Sequence, residues 1–310
     1  MKEKTIYALG FFDGVHLGHQ ALLRACKAKA TEYGCRAGVV TFTDHPETLV
    51  PGKSPVRINT PEDRETMLKH YGIDEVLFLP FDKALMNTPW DVFLAQLAEK
   101  GAAGFVCGSD FRFGAKGGGN AQALAAFCES RSLPYAIVEQ QYLEGIRISS
   151  TYIRSLLEAG DMEKAAHFLG HPHLLTGTVI SGQGLGHTIG IPTANLPFPE
   201  NLARPKLGVY ACTAQVEKKT YLAVANIGTR PTVSGDGLTV EPHLLNFEGD
   251  LYGKTLTLEF HKFLRPEQKF DSLDALKTQI QKDIGQCTPQ AFSLGRRWPS
   301  VSKAGCGETL

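Results

Sequence analysis

The sequence predicts an α/β domain built on a parallel sheet, followed by an antiparallel β-barrel with a C-terminal helix. Three observations predict this. Short apolar runs alternate with helical patterns from residue 6 to about 140, the order expected of parallel strands covered by helices on both faces. After about residue 170 strand-like runs follow one another with no helices between them, which suggests a barrel. Between the first strand and the first helix lies a Gly-rich turn, Gly10-Phe11-Phe12-Asp13-Gly14-Val15-His16-Leu17-Gly18-His19.

Taken in order, Ile6, Tyr7, Ala8 and Leu9 read as a short buried strand. Gly14 and Gly18 let the backbone turn and approach a ligand closely. Leu22, Leu23, Cys26, Ala30 and Tyr33 share one helical face, and Gly34 is a stop signal. His16 and His19 therefore stand at a helix N-terminus, where unpaired N–H groups and the positive dipole end suit a phosphate. Further strands are expected over 37–42, 75–80, 105–107 and 135–138. Thr88 followed by Pro89 predicts a helix start, with Phe93, Leu94 and Leu97 facing inward. Asn120 is expected to cap a helix that runs through Cys128.

Ligands on such sheets bind beyond the carboxyl ends of the strands, which is where the two histidines lie. Two more segments reach that edge. One is Cys107 to Gly114, which contains Asp110 and leads into Gly117-Gly118-Gly119. Those glycines read equally as a phosphate-facing loop or as a connector. The other is Arg147-Ile148-Ser149-Ser150-Thr151-Tyr152-Ile153-Arg154. Ser149 or Ser150 reads as an N-cap; alternatively the hydroxyls, N–H groups and Arg147 or Arg154 gather on a triphosphate.

Residues 155–169 carry two short helical pieces split by Gly160-Asp161, and Gly170-His171-Pro172 ends them. This sets domains at 1–170 and 171–290, with a tail over 291–310. In the second domain strands are expected over 177–181, 208–216, 220–225, 238–247 and 255–260. Ser272 is expected to cap a helix whose apolar stripe is Leu273, Leu276, Ile280 and Ile284. A dense run of glycines, Gly182, Gly184, Gly186 and Gly190, reads as a nest of N–H groups for phosphate oxygens or as a glycine-rich hairpin connection. It is neither a Walker A loop nor a dinucleotide fingerprint.

The totals narrow the class. Thirty-two basic and 32 acidic residues give a formal net charge of zero, so there is no global electrostatic case for nucleic acid or an acidic membrane. No apolar stretch approaches the roughly 20 residues that span a bilayer, and the N-terminus lacks a secretory pattern. A cytoplasmic protein, a monomer or weak homo-oligomer, is expected. The seven cysteines form no CxxC pair; Cys26, Cys107 and Cys212 read as reduced core thiols, and no structural zinc site is expected.

Several stretches resemble known motifs. His16-Leu17-Gly18-His19 resembles the HxGH signature of nucleotidylyltransferases, and Phe12-Asp13-Gly14 narrows the resemblance to bacterial FAD synthetases. Ile148 to Arg154 matches that superfamily's ISSTxIR motif, and Asp110 to Gly114 resembles the DFRFG segment. Thr43-Asp44-His45-Pro46 is a weaker match. Gly190 to Asn195 resembles the GxPTAN segment of riboflavin kinases, Asn226 to Thr232 their NIGxxPT stretch, and Glu241 to Phe247 their ExHLLDF stretch. Asp250 to Gly253 and Leu264 to Phe270 also fit. The matches run from about 6 to 284, in the order of the bacterial bifunctional riboflavin kinase/FAD synthetase family.

The resemblance implies a Rossmann-like nucleotidylyltransferase domain followed by a β-barrel riboflavin kinase domain. It implies phosphorylation of riboflavin by ATP to FMN, then adenylylation of FMN to FAD and pyrophosphate. By the same resemblance His16 and His19 are catalytic, and Phe12, Asp13, Gly14, Gly18, Arg147, Ser149, Ser150, Thr151 and Arg154 serve ATP and its phosphates. Asp110 contributes to the nucleotide and flavin site. In the barrel Glu241 is the base, Thr193 and Asn195 bind Mg²⁺ and phosphate, and Gly182 to Gly190 hold phosphates. Departures are His187 in place of Arg, Pro242 beside Glu241, and Asn246 in place of Asp. His187 and Pro242 motivate one alternative, a live adenylyltransferase with a flavin-binding barrel; a flavin sensor or RNA-binding regulator is another, and a tRNA synthetase sharing a HIGH-type motif is a third.

Overall fold

The computed structural model describes residues 4–49, 52, 55–182, 190–232 and 235–287. The chain forms two compact units, Met1–Ser150 and Thr151–Leu310.

In the first unit β1 (Thr5–Leu9) leads through a 3₁₀ turn (Asp13–Val15) into α1 (Leu17–Glu32), followed by β2 (Arg36–Phe42) and α2 (Pro61–His70). Then come β3 (Glu75–Leu79), α3 (Lys83–Met86), α4 (Trp90–Glu99), β4 (Ala102–Gly108), α5 (Ala121–Ser130) and β5 (Tyr135–Val138). A small hairpin of β6 (Tyr142–Leu143) and β7 (Ile146–Arg147) closes the unit. The five main strands lie in the order β3-β2-β1-β4-β5, all parallel. All five residues of β1 are buried, as expected for a central strand with both faces covered. Strand order reverses between β1 and β4, so a crevice opens at their carboxyl ends.

Most local signals hold, and Thr88 is an exception. Asn120 caps α5, its Oδ1 accepting from Ala123 N at 2.8 Å. Thr88 does not cap α4: Pro89 occupies that position, and the Thr88 hydroxyl donates back to Ala84 O at 2.9 Å. The Gly117–Gly119 run is a packed connector. Phe113 and Gly119 exchange backbone hydrogen bonds, and a Cβ on Gly119 would lie 2.6 Å from Trp90 Cβ.

The second unit takes most of α6 (Ser150–Ala159) and α7 (Met162–Leu169), which Asp161 caps and Gly170 ends at φ 78°. Its strands are β8 (His173–Thr178), β9 (Leu196–Pro197), β10 (Gly208–Val216), β11 (Lys219–Thr232), β12 (Gly235–Leu244) and β13 (Thr255–Arg265), followed by α8 (Leu273–Gln286). They form an antiparallel sheet in the order β8-β13-β10-β11-β12-β9. Its edges meet: Ile180 N donates to Asn195 O at 2.9 Å, and a Cβ on Gly177 would touch Leu196. The sheet is thus a nearly closed barrel.

Two differences from expectation have physical causes. β11 runs to Thr232 despite Gly228 and Pro231, because β12 is paired along it from Ala223 to Thr232. Ser272 caps α8 as expected, but Leu273 is exposed. The buried face of α8 carries Asp283 and leads to Cys287, with Leu276, Ile280 and Ile284 half-buried on it. Asp283 accepts from Arg265 Nε and Nη2 at 2.8–3.1 Å and from Gln279 at 2.9 Å. Cys26, Cys107 and Cys212 are fully buried thiols.

Candidate active sites

The His16–His19 turn is built by local backbone geometry. Phe12 adopts the left-handed conformation at φ 58°, Gly14 lies at φ 80° and Val15 at φ 40°. Positive φ is unfavourable for a residue with a side chain, so packing must hold Phe12 and Val15, both fully buried. Asp13 anchors the turn: its Oδ1 accepts from Ile58 N at 2.7 Å and its carbonyl from the Ser150 hydroxyl at 2.9 Å. His16 is the N-cap of α1, with Nδ1 accepting from His19 N at 3.2 Å. The two imidazoles stack with centroids 3.6 Å apart, and His19 also packs on Phe12. A Cβ on Gly18 would lie 3.2 Å from the His16 ring, so glycine gives that ring its place. Burial first, then His16 and Arg64, hold His19 well below the usual histidine range. Its ring is neutral at pH 7, and among the described residues its Nδ1 has no hydrogen-bond partner.

These groups line a cleft of about 210 Å³ at the carboxyl ends of β1, β4 and β5. Asp110, Arg147, Ser149 and Ser150 stand in the same cleft, as do the rings of Phe11 and Phe111. Asp110 and Arg147 form an exposed ion pair. His45 is a turn residue that packs edge-on against Phe11 and accepts from Glu47 N. Thr151 and Arg154 belong to the second unit, where Arg154 Nη2 donates to the Thr151 hydroxyl.

The barrel assembles its predicted residues from separate strands. Glu241 lies opposite Asn226 in the β11–β12 register. On the other side Leu196 pairs with Val240, and Ala194 N donates to Pro242 O at 2.9 Å. That bond carries the register onward and puts Asn195 opposite Glu241. Facing residues share a side of the sheet, so Asn195, Glu241 and Asn226 form a row. Thr239 joins it, donating to Glu241 Oε1 at 3.3 Å. His243 donates to Pro192 O at 2.7 Å and ties the Thr193 segment to β12. Asn195 is buried against Gly182, where a Cβ would come within 2.1 Å of its Nδ2. Gly190 lies at φ 74°. Gly184, Gly186 and His187 lie outside the described residues.

Pro242 leaves the β11 ladder intact. In an antiparallel strand the N and C=O of one residue point to the same side. The Pro242 carbonyl points toward Ala194, so its ring lies on that side too, while Leu245 N donates to Leu222 O toward β11. Asn246 sits at φ 57°, a left-handed position that suits Asn.

The two units match two family models in tandem: FAD synthetase over residues 1–152 and riboflavin kinase over 169–290. A bifunctional riboflavin kinase/FMN adenylyltransferase of Listeria monocytogenes is 36% identical over 282 residues, covering 90% of each chain. One of the same name from Pseudomonas fluorescens is 37% identical over 296 residues, covering 94% of each. The chain belongs to the bifunctional riboflavin kinase/FMN adenylyltransferase family. A crystal structure titled as a macrolide-efflux protein from Streptococcus pneumoniae has the same architecture, with a TM-score of 0.83 at 30% identity over 93% of this chain and 94% of that one. Among the described residues no helix is long and apolar enough to cross a membrane.

Within this family's frame, sequence reasoning missed three parts of the two sites. Arg64, almost fully buried, donates to Phe11 O and Phe42 O beneath the histidine turn. Glu267 accepts from Asn226 Nδ2 at 3.0 Å and lies over Gly228. Thr239 reaches Glu241. Arg64 left no signal, because its helix, Pro61-Glu62-Asp63-Arg64-Glu65, reads as a solvated surface. Glu267 lay inside a quoted motif, but its partner was invisible without the fold.

Proposed function

We propose that this chain converts riboflavin to FMN in its barrel and FMN to FAD in its α/β unit, each step consuming ATP. The tandem match of both family models, in the order of relatives that share both names, carries this conclusion. We assign the adenylyltransferase to residues 1–170 and the kinase to 171–290, and place the work in the cytoplasm. Its partners are riboflavin, FMN and ATP, with no nucleic acid or membrane required, and the chain acts as a monomer or weak homo-oligomer.

In the adenylyl transfer the FMN phosphate is already a nucleophile. It attacks the α-phosphate of ATP, and pyrophosphate leaves. His16 and His19 donate N–H groups to the transition-state oxygens and the leaving pyrophosphate. The N-terminus of α1 adds backbone N–H groups to the same place. An anion set against His19 favours its protonated form, so ATP binding draws a proton toward that ring. Phe12, Asp13, Gly14 and Gly18 shape the turn, and Arg147, Ser149, Ser150, Thr151 and Arg154 serve the triphosphate. Asp110 holds Arg147 until phosphate competes for it, and contributes to the flavin and nucleotide site. Phe11 and Phe111 give the cleft two aromatic walls, which suit a flat ring.

In the kinase step the riboflavin 5′-hydroxyl attacks the γ-phosphate of ATP, the bond to the β-phosphate oxygen breaks, and ADP leaves. Glu241 accepts its proton, and the Thr239 hydroxyl orients that carboxylate. Thr193 and Asn195 offer hydroxyl and amide oxygens, the donor type that suits Mg²⁺, and few protein ligands are needed because water and phosphate complete its shell. Mg²⁺ held there neutralises phosphate charge when bound. Gly182, Gly184, Gly186 and Gly190 are assigned to the ATP phosphates, as the resemblance implies. Transfer then depends mainly on positioning and electrostatics.

The test is a time course of riboflavin, ATP and Mg²⁺ with the pure protein, resolved by chromatography. FMN that rises and then passes into FAD is the expected result. FAD from supplied FMN but none from riboflavin would leave one live activity, and no product from either would overturn the reading.

A further inference from the structure

We propose that Arg64 is a positioning residue for the adenylyl transfer, holding from below the turn that carries His16 and His19. It touches no predicted substrate position, yet it is among the most buried side chains of the first unit, at 1% exposure.

Its environment is unusual for a cation. Among the described residues no carboxylate lies within ion-pair distance of it. Its guanidinium instead donates from Nη1 to Phe11 O at 2.7 Å and from Nη2 to Phe42 O at 2.6 Å. It lies over the Phe11 ring at 4.6 Å and near the Phe78 ring at 5.3 Å. Among the described residues its Nε has no partner. Burial lowers its pKa to about 10, which leaves it charged at neutral pH. Burying a charge is costly unless its hydrogen bonds are made, and the planar fork of arginine is the group that can bond two carbonyls while stacking on rings.

Those two carbonyls occupy the place where the parallel strands end. Phe42 closes β2, and Phe11 follows β1 at the mouth of the crevice. Beyond the strand ends neighbouring chains no longer supply ladder donors, so Phe11 O takes Arg64 and the Thr41 hydroxyl, at 2.8 Å, instead. The next residue, Phe12, is the one held at φ 58°. Its ring packs on His19, which stacks on His16. A short physical path thus runs from the Arg64 fork to the peptide before Phe12, and from the Phe12 ring to both imidazoles. The α2 segment is stitched to the same turn a second time, through Ile58 N and Asp13. The inference rests on the adenylyltransferase reading of the cleft.

The test uses full-length protein with Arg64→Gln and Arg64→Lys. FAD formation from FMN is measured for kcat and for the KM of ATP, and FMN formation from riboflavin is measured on the same preparations. We expect Arg64→Gln to lower the adenylylation kcat by up to about 10²-fold, the scale of a small misplacement, with the ATP KM kept within about twofold. FMN formation should stay at the wild-type rate. Arg64→Lys, which keeps the charge but not the fork, should fall between the two. A wild-type kcat in Arg64→Gln overturns the proposal. So does a fall in both variants that only tracks loss of the folded first unit in thermal melts. Should Arg64→Gln not fold, Arg64→Lys decides: a lowered kcat at unchanged KM supports positioning, and a wild-type kcat refutes it. Absence of FAD formation by the wild-type protein would instead overturn the reading of the cleft.

Discussion

The two sites solve the same problem, holding ATP phosphates beside a nucleophile, with opposite construction. The α/β unit places both of its histidines in one contiguous turn of ten residues, kept in shape by positive φ at Phe12, Gly14 and Val15 and by buried packing. The barrel gathers Asn195, Asn226, Thr239 and Glu241 from three neighbouring strand segments on one side of a regular ladder. The first design stores unfavourable backbone geometry and needs support from below. The second inherits its geometry from strand register and needs little strain. The first should therefore be sensitive to what lies beneath the turn, and the second to whatever fixes the barrel edges and its closing helix.

The strongest way to break this comparison is to silence each site alone. His16→Ala removes an imidazole that also caps α1. FAD formation from FMN should be abolished while FMN formation from riboflavin persists. Glu241→Gln should do the reverse, lowering FMN formation by about 10²–10⁴-fold, the usual contribution of a general base, and leaving adenylylation intact. Loss of both activities in a folded His16→Ala protein would show that the chain does not run two independent sites.

The next effect is on stability. Asp283 is fully buried and takes three bonds from Arg265 on β13, so it fastens α8 to the barrel. Removing one partner of a buried ion pair leaves the other uncompensated and costs about 3–5 kcal/mol. Asp283→Ala should lower the denaturant midpoint of the barrel transition accordingly, with FAD formation from FMN unaffected. An unchanged midpoint would mean that apolar contacts alone hold the helix.

Asp283 also shows where sequence reading stops. A charged residue on a helix reads as solvated, and the apolar stripe misled at its first position, since Leu273 is exposed. The partner that makes burial tolerable, Arg265, is 18 residues away. Arg64 was hidden for the same reason, its acceptors being two backbone carbonyls. The histidine turn was legible because strand, glycines, imidazoles and helix are adjacent in the chain. β10 was legible to the residue, but β11 was cut short because Gly228 and Pro231 carry local turn signals that pairing overrides. The row of Asn195, Glu241 and Asn226 depends on register, which no single segment contains. Its members were found through motif resemblance, and their adjacency came from the fold.

A smaller effect compares one glycine in each site. A Cβ at Gly182 would lie 2.1 Å from Asn195 Nδ2, and one at Gly18 would lie 3.2 Å from the His16 ring. The first cannot be accommodated without moving Asn195 or the loop; the second asks the ring to give by a few tenths of an ångström. Gly182→Ala should lower FMN formation by roughly tenfold or more, and Gly18→Ala should lower FAD formation by less. Equal losses would show that the histidine turn is the stiffer of the two.

The last effect is a slope with pH rather than a change in one rate or midpoint, and it separates strain from burial. His173 at the start of β8 is buried, its Nδ1 has no partner among the described residues, and burial, with His171 second, pushes its pKa down to about 3. A folded pKa below the ordinary value of about 6.5 means that the unfolded chain takes up the proton first. The stability this residue contributes is present above pH 6.5 and drains away as pH falls toward 3, at about 1.4 kcal/mol per pH unit. His261 is lowered to about 4 by burial as well, but Glu259 stands 3.7 Å from its ring, so His173 is the cleaner probe. His173→Phe keeps a ring against Phe260, 5.8 Å away, and removes the titration. Denaturation of the barrel followed from pH 7 to pH 4 should show a slope about one proton shallower in the variant. Parallel slopes would mean that the His173 imidazole finds water or a partner as the pH falls, and that the acid sensitivity of the barrel lies in its surface carboxylates instead.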